Sequence, residues 1–322
     1  MRDNVLPRQL CALAFCAFTV PAVGLLPRAG WLWALLAAAC CAAVLAAGVL
    51  LTRKKGGSAA ALAAQSGVGK TLLVLLMLWN FLALGMTSRY LCGAYPGADG
   101  FPLTGALLLL LAAYAANKGV SAVARVSAIC FFFLIALYIL VLGFSAPQLR
   151  PQWLAPQTKP AWTLLPAVFS PVCALFLTGH CSARAKPALW LLGGTALAFL
   201  VAFIAAGCLS PEVAGKEPFA VYTVTKSLSL FGAMERFEAL VSAALTAGGF
   251  CLLGLLCLTN AELVRVVCPR AEKCCGAANF LLGFAGISAS GVLSAEIAAA
   301  ASAIFWGLLP IGILSVAKRK KY

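Results

Sequence analysis

Two apolar stretches broken by proline, TVPAVG at residues 19–24 and VFSPVC at residues 168–173, decide how this chain folds. Each proline lies deep inside a run of Leu, Ala, Val and Phe. Proline removes one helix hydrogen bond and frees a carbonyl, so an interruption at that depth in lipid needs a protein-lined space around it. At ~1.5 Å per residue, Pro21 and Pro171 both lie on the order of 12 to 17 Å from the same side of the membrane, near its midplane.

Outward from these two points the chain is apolar almost throughout. Hydrophobic residues make up 63% of the 322 and charged residues only 10%, where soluble domains carry about 25% charged residues. About 20 apolar residues cross the hydrocarbon core as a helix. The sequence offers spans at residues 10–27, 31–51, 71–92, 101–116, 126–144, 164–179, 188–208, 237–258, 277–291 and 297–316, with no room for a soluble domain. The expectation is a single all-α membrane domain over residues 1–322 with about ten transmembrane helices. Stretch 277–316 also admits one long helix with a re-entrant piece.

The net charge of +15 does not point to nucleic acid, because the basic residues form short clusters between spans. With a cytoplasmic N-terminus, Arg28, Arg89, Arg150, Lys159, Lys216, Lys226 and Arg236 fall outside and every other Lys and Arg inside. That asymmetry obeys the positive-inside rule, and it places both termini in the cytoplasm with an even number of spans. Ten spans divide as five and five, residues 10–144 and 164–316, and an odd number per half inverts the second half. Interrupted helices leading both halves of an inverted repeat point to a transporter-type site between them; ordinary proline kinks are the other reading.

Other features are quieter. Most of the 14 cysteines lie inside spans and read as small apolar side chains. His180 and Cys181 with Cys268, Cys274 and Cys275 contain no zinc-type CxxC pair, and neither a metal nor another cofactor is expected. AQSGVGKT at residues 64–71 imitates a phosphate loop but runs directly into a lipid-crossing segment, so Lys70 reads as a topology anchor. Residues 147–162 are Pro-rich and carry Trp153 and Trp162, as an external connector does. Residues 209–236 read as an interfacial helix or a solvated loop. Arg89 and Glu238, near the outer ends of their spans, can frame a vestibule, with snorkelling the plainer account of Arg89. Deeper polar groups are Thr19, Asn80, Ser170, Thr195, Ser242 and Thr246.

The run MERFEAL at 234–240, preceded by SPEV at 210–213, resembles the B-subunit permeases of Ger-type spore germinant receptors. LPRA at 26–29, Arg89, YAANKGVSAVAR at 114–125 and QLRP at 148–151 match that family in the same order. The resemblance covers most of the chain. It implies the LeuT-like fold of the amino acid, polyamine and organocation transporter superfamily, with a 5+5 inverted repeat and broken helices 1 and 6. It also implies an amino acid or similar small solute as ligand, and A and C receptor subunits as partners. Ligand contacts would then fall on Thr19, Val20, Pro21, Ala22 and Gly24 in span 1 and on Phe169, Ser170, Pro171 and Cys173 in span 6. The chain departs from the family pattern where glycines are usual in span 1, at Val20 and Ala22, and where Gly-Glu follows the span 6 proline, at Cys173 and Ala174.

Three functions stay open on the sequence: a germinant receptor subunit, which is favoured, a secondary permease for an amino acid or organic cation, and a membrane assembly subunit without ligand. No nucleophile, base or carboxylate pair shares a water-accessible patch, so no enzyme is expected. The expected location is the cell membrane, or the spore inner membrane if the organism sporulates.

Overall fold

The computed structural model describes residues 5–29, 31–92, 103–153, 168–181, 185–209, 213, 220–226, 237–289 and 294–317. Helices follow the apolar runs. They are α1 Pro7–Ala29, α2 Trp31–Lys55, α3 Ala59–Ala63, α4 Gly67–Cys92, α5 Leu103–Asn117 and α6 Val120–Ser145. After a connector come the single turn α7 Ala174–Leu177, then α8 Pro187–Cys208, α9 Ala220–Lys226, α10 Phe237–Val267 and α11 Cys275–Ala289. The last apolar run is α12 Ala295–Ser302, a π-helical stretch Ala303–Leu308, and α13 Leu309–Val316.

Among the described residues, six helices are long and apolar enough to cross a membrane: those within α2, α4, α6, α8 and α10, and the continuous run Glu296–Ser315. Large side chains such as Leu107, Leu111, Ile129, Phe132, Ile139 and Leu281 stand exposed around the outside. In water such a belt would aggregate, whereas against acyl chains it is solvated. The chain is therefore a multi-pass membrane protein. Its core is α10, the most buried of these helices, with α1, α4, α5 and α6 packed on it.

Small residues let backbones meet. A Cβ at Gly85 of α4 would lie 2.2 Å from the carbonyl carbon of Gly286 in α11, so these helices touch main chain to main chain, as small residues permit in membranes. Gly119, with φ of 100°, makes the turn from α5 to α6 that other residues rarely adopt. The start of α4 explains the phosphate-loop imitation: Ser66 Oγ accepts from the Gly69 amide at 3.0 Å, and a Cβ at Gly69 would strike the Ala63 carbonyl oxygen. These residues cap and fit a helix end.

The Pro-rich connector is described over residues 147–153, which form no regular α-helix, and residues 154–162 lie outside the described residues. It forms 3-10 turns at Ala146–Gln148 and Pro151–Trp153, and the Arg150 amide donates to the Gly207 carbonyl at 2.9 Å. From the 209–236 stretch, α9 buries Val221, Val224 and Thr225 where it packs on α8 and α10.

The two proline interruptions come out differently. The expected break of helix 1 is a correction: the backbone stays helical through residues 19–24 inside the 23-residue α1. Pro21 forfeits one bond of a ladder that continues on both sides, and packing against α6, α8 and α10 keeps the helix whole. In segment 6, residues 168–181, the regular α-helix is interrupted at the proline, although the backbone keeps a helical hand from 168 to 180. A 3-10 turn Ser170–Cys173 leads into α7, then a second 3-10 turn Thr178–His180. Residues 168–177 are buried throughout, which is where irregular backbone is tolerated at membrane depth.

Candidate functional site

Segment 6 is held by contacts from α10 and from the π-helical stretch. The Thr259 hydroxyl of α10 donates to the Cys173 carbonyl at 3.4 Å, and also to Leu255 of its own helix at 2.9 Å. Phe169 packs against Gly307, where an added Cβ would meet its ring at 3.4 Å. Gly307 belongs to the π-helical stretch, whose extra residue per turn lets the chain carry Pro310 just beyond it.

Asn80 is the polar centre of this region. It lies halfway along α4, about 20 Å from either end of that helix, and is fully buried. Its Oδ1 accepts from the Trp306 indole N–H at 2.8 Å and from the Cys173 thiol at 3.8 Å. One side chain thus ties α4 to segment 6 and to the π-helical stretch. Its Nδ2 has no partner among the described residues, and neither does the buried indole Nε1 of the adjacent Trp79. Trp79 stacks on Phe305 with ring centres 5.6 Å apart and meets Trp306 edge-on at 5.8 Å. An unmade hydrogen bond of this kind costs about 1–3 kcal/mol. Two such donors are buried here beside the rings of Phe305 and Trp306.

The other end of segment 6 is tied down on the basic face, the face that carries Arg53, Lys54, Lys55 and Arg265. His180 Nε2 lies 3.1 Å from Glu262 Oε2, and Arg265 reaches the same carboxylate at 2.8 Å. The Val5 amide donates to the His180 carbonyl at 3.1 Å, and a Cβ at Gly179 would meet Ser58 at 2.8 Å. Beside His180, burial pushes the Cys181 thiol up to about 11, with the neighbouring Cys11 adding to the shift. That thiol stays protonated near neutral pH and is a poor nucleophile. Further along α10, Asn260 Nδ2 donates to Asn279 Oδ1 of α11 at 2.9 Å, and Asn279 Nδ2 donates to the Cys257 carbonyl at 3.1 Å. Among the described residues no group of three His, Cys, Asp or Glu side chains is placed to hold a metal ion.

Of the residues expected from sequence, Phe169, Ser170, Pro171 and Cys173 are all buried in the first turn of segment 6. Thr19 is buried too, but its hydroxyl donates to the Cys16 carbonyl at 3.3 Å, beside the Tyr138 phenol. The side-chain surroundings of Val20, Pro21, Ala22 and Gly24 lie outside the described residues, as does the side chain of Glu238. Arg89 is exposed in the last turn of α4. Trp79, Trp306 and the His180–Glu262 pair escaped the sequence reading. The signal that was there is Pro310 and Trp306 inside an otherwise plain apolar run.

A sequence profile described as "spore germination protein" matches residues 27–267. Among solved structures, a transporter of the nucleobase-cation-symport-1 family, in a closed conformation with bromovinylhydantoin bound, is similar with a TM-score of 0.66 and 14% identity. The likeness covers 94% of this chain and 75% of that one, and it shows a shared transporter fold. A comparison with curated proteins finds no match.

Proposed function

Because this chain belongs to the spore germination protein family, we propose that it is the membrane subunit of a nutrient germinant receptor that binds an amino acid or similar small solute near the bilayer midplane. The observation that carries this reading is the pair of orphaned donors, Asn80 Nδ2 and Trp79 Nε1, set beside the broken segment 6. The described neighbours of Asn80 and Trp79, namely Cys173, Phe305 and Trp306, are uncharged, so on this reading the solute's acceptor groups and its apolar body supply recognition.

On this reading the ten apolar segments are ten crossings arranged as an inverted repeat, and the basic face is cytoplasmic with both termini. Segment 6 relays occupancy: its first turn meets the ligand, and its far end, held by His180 and Glu262, meets the A and C subunits of the receptor. A ligand shifts such an equilibrium only by its differential affinity for the two states. No catalytic step is part of the proposal.

The transporter fold favours a second reading, a secondary permease for a similar solute. The first experiment measures the thermal stability of the detergent-purified protein against amino acids, nucleosides and sugars, since a ligand that binds only the folded state raises stability by mass action. A saturable shift with one class, lost in Asn80→Leu and Ser170→Ala, is the expected result. Flux into liposomes then separates permease from receptor. If every compound leaves the wild-type protein unshifted while the partner subunits are present, the ligand-binding readings fail and a ligand-free assembly role takes their place.

A further inference from the structure

Between α2 and α8 an open groove of about 500 Å³ runs along the outside of the bundle. It lies apart from the midplane site and owes nothing to it. One wall is the small-residue stripe Ala39, Ala42, Ala43 and Ala46 of α2; the other includes Leu189 and Leu192 of α8. The walls are almost entirely apolar. At the end on the basic face the lining includes the hydrocarbon stems of Arg53, from the last turn of α2, and of Lys186, immediately before α8.

The dimensions match one leaflet. From Arg53 to Ala39 α2 rises about 20 Å, enough to cover half of a hydrocarbon core about 30 Å thick. Alanine on one wall leaves room that larger side chains would fill, and exposed leucines on the other keep the floor greasy. Both cations are exposed, and both stand at the ends of membrane-span candidates, Leu35–Lys55 and Pro187–Cys208. Arg53 is held across the gap by donating to the Ala185 carbonyl, which leaves further guanidinium N–H donors for an anion.

We infer that this groove is a binding site for an anionic phospholipid, its acyl chain lying along the alanine stripe and its headgroup phosphate between Arg53 and Lys186. An apolar trough that ends in two cations at headgroup depth matches one amphiphile in charge and shape, and basic pockets between helices on the cytoplasmic side are where acidic lipid headgroups are held. A zwitterionic lipid would fill the trough equally well but gain less from the cations.

The test uses the full chain purified from a membrane of mixed phosphatidylglycerol and phosphatidylcholine, with native mass spectrometry counting lipids that survive delipidation. The wild-type protein is expected to keep phosphatidylglycerol in preference to phosphatidylcholine. Retention should fall about tenfold in the double variant Arg53→Gln, Lys186→Gln, and also in Ala43→Phe, which fills the trough. Lys70→Gln removes an exposed charge from the same face away from the groove and should leave retention unchanged. Monodispersity in size-exclusion chromatography confirms that each variant is folded. Equal retention of both lipids, equal loss in Lys70→Gln, or no loss in folded Ala43→Phe would each overturn the assignment; in the last case a partner helix or a bulk lipid shell covers the surface.

Discussion

α1 and segment 6 carry the same lesion, a proline deep in an apolar run, and respond in opposite ways. Pro21 sits within a helix of 23 residues, where the bonds of neighbouring turns outnumber the one it removes. Pro171 is the second residue of a four-residue 3-10 turn that follows directly on helical residues 168–169, so there the ladder tightens instead of running on as regular α-helix. The difference teaches that proline permits a break and the surroundings decide it. Segment 6 is given alternative partners for its backbone and a fixed far end, through Thr259, Phe169 against Gly307, and the His180–Glu262 pair.

The heaviest blow to that contrast is Glu262→Ala. Removing a buried carboxylate shared by His180 and Arg265 should cost about 2–3 kcal/mol, below the usual loss for a fully buried pair because Arg265 is partly exposed. Thermal unfolding in detergent measures the loss. Amide exchange should rise around residues 174–180 and stay unchanged in α1; an equal rise in both would end the idea of a local anchor.

A sharper contrast comes from replacing each proline with alanine. Pro21→Ala restores an interior helix bond and should stabilise by about 2 kcal/mol. Pro171→Ala adds an N–H only within a short 3-10 turn and loosens the unfolded chain, so it should be neutral or destabilise by up to about 1 kcal/mol. Melting curves showing the same sign for both would refute the distinction. A comparably small effect belongs to Thr259→Val, which leaves the Cys173 carbonyl without its hydroxyl donor. A loss of about 0.6–1 kcal/mol is expected, read by unfolding in detergent, and no loss would mean that water or another donor satisfies the carbonyl.

Hydropathy alone located the helices, because lipid selects for long apolar runs whatever their neighbours. Every expected span coincides with helical structure in the described residues, including the irregular segment 6. Proline in VFSPVC marked the break because its consequence is local. What stayed hidden depends on facing. Trp306 and Asn80 are 226 residues apart and His180 and Glu262 are 82 apart, and a helix that is apolar all round shows no stripe to tell its inner side from its lipid side. The same blankness hid the groove: the alanines of α2 are as apolar as its leucines, and only the shape of a neighbouring helix distinguishes a trough from a contact. Continuity of α1 was hidden for another reason, since it rests on packing from three helices.

The bare crossing of Gly85 and Gly286 gives the bundle its stator. Side chains can rotate or yield when helices slide, but two main chains in contact have nothing to yield, so α4 and α11 are coupled as one rigid body. Asn80 rides on that body. Any widening of the space around its amide must therefore be produced by its other two neighbours, segment 6 and the π-helical stretch, which act as the moving vanes against a fixed post.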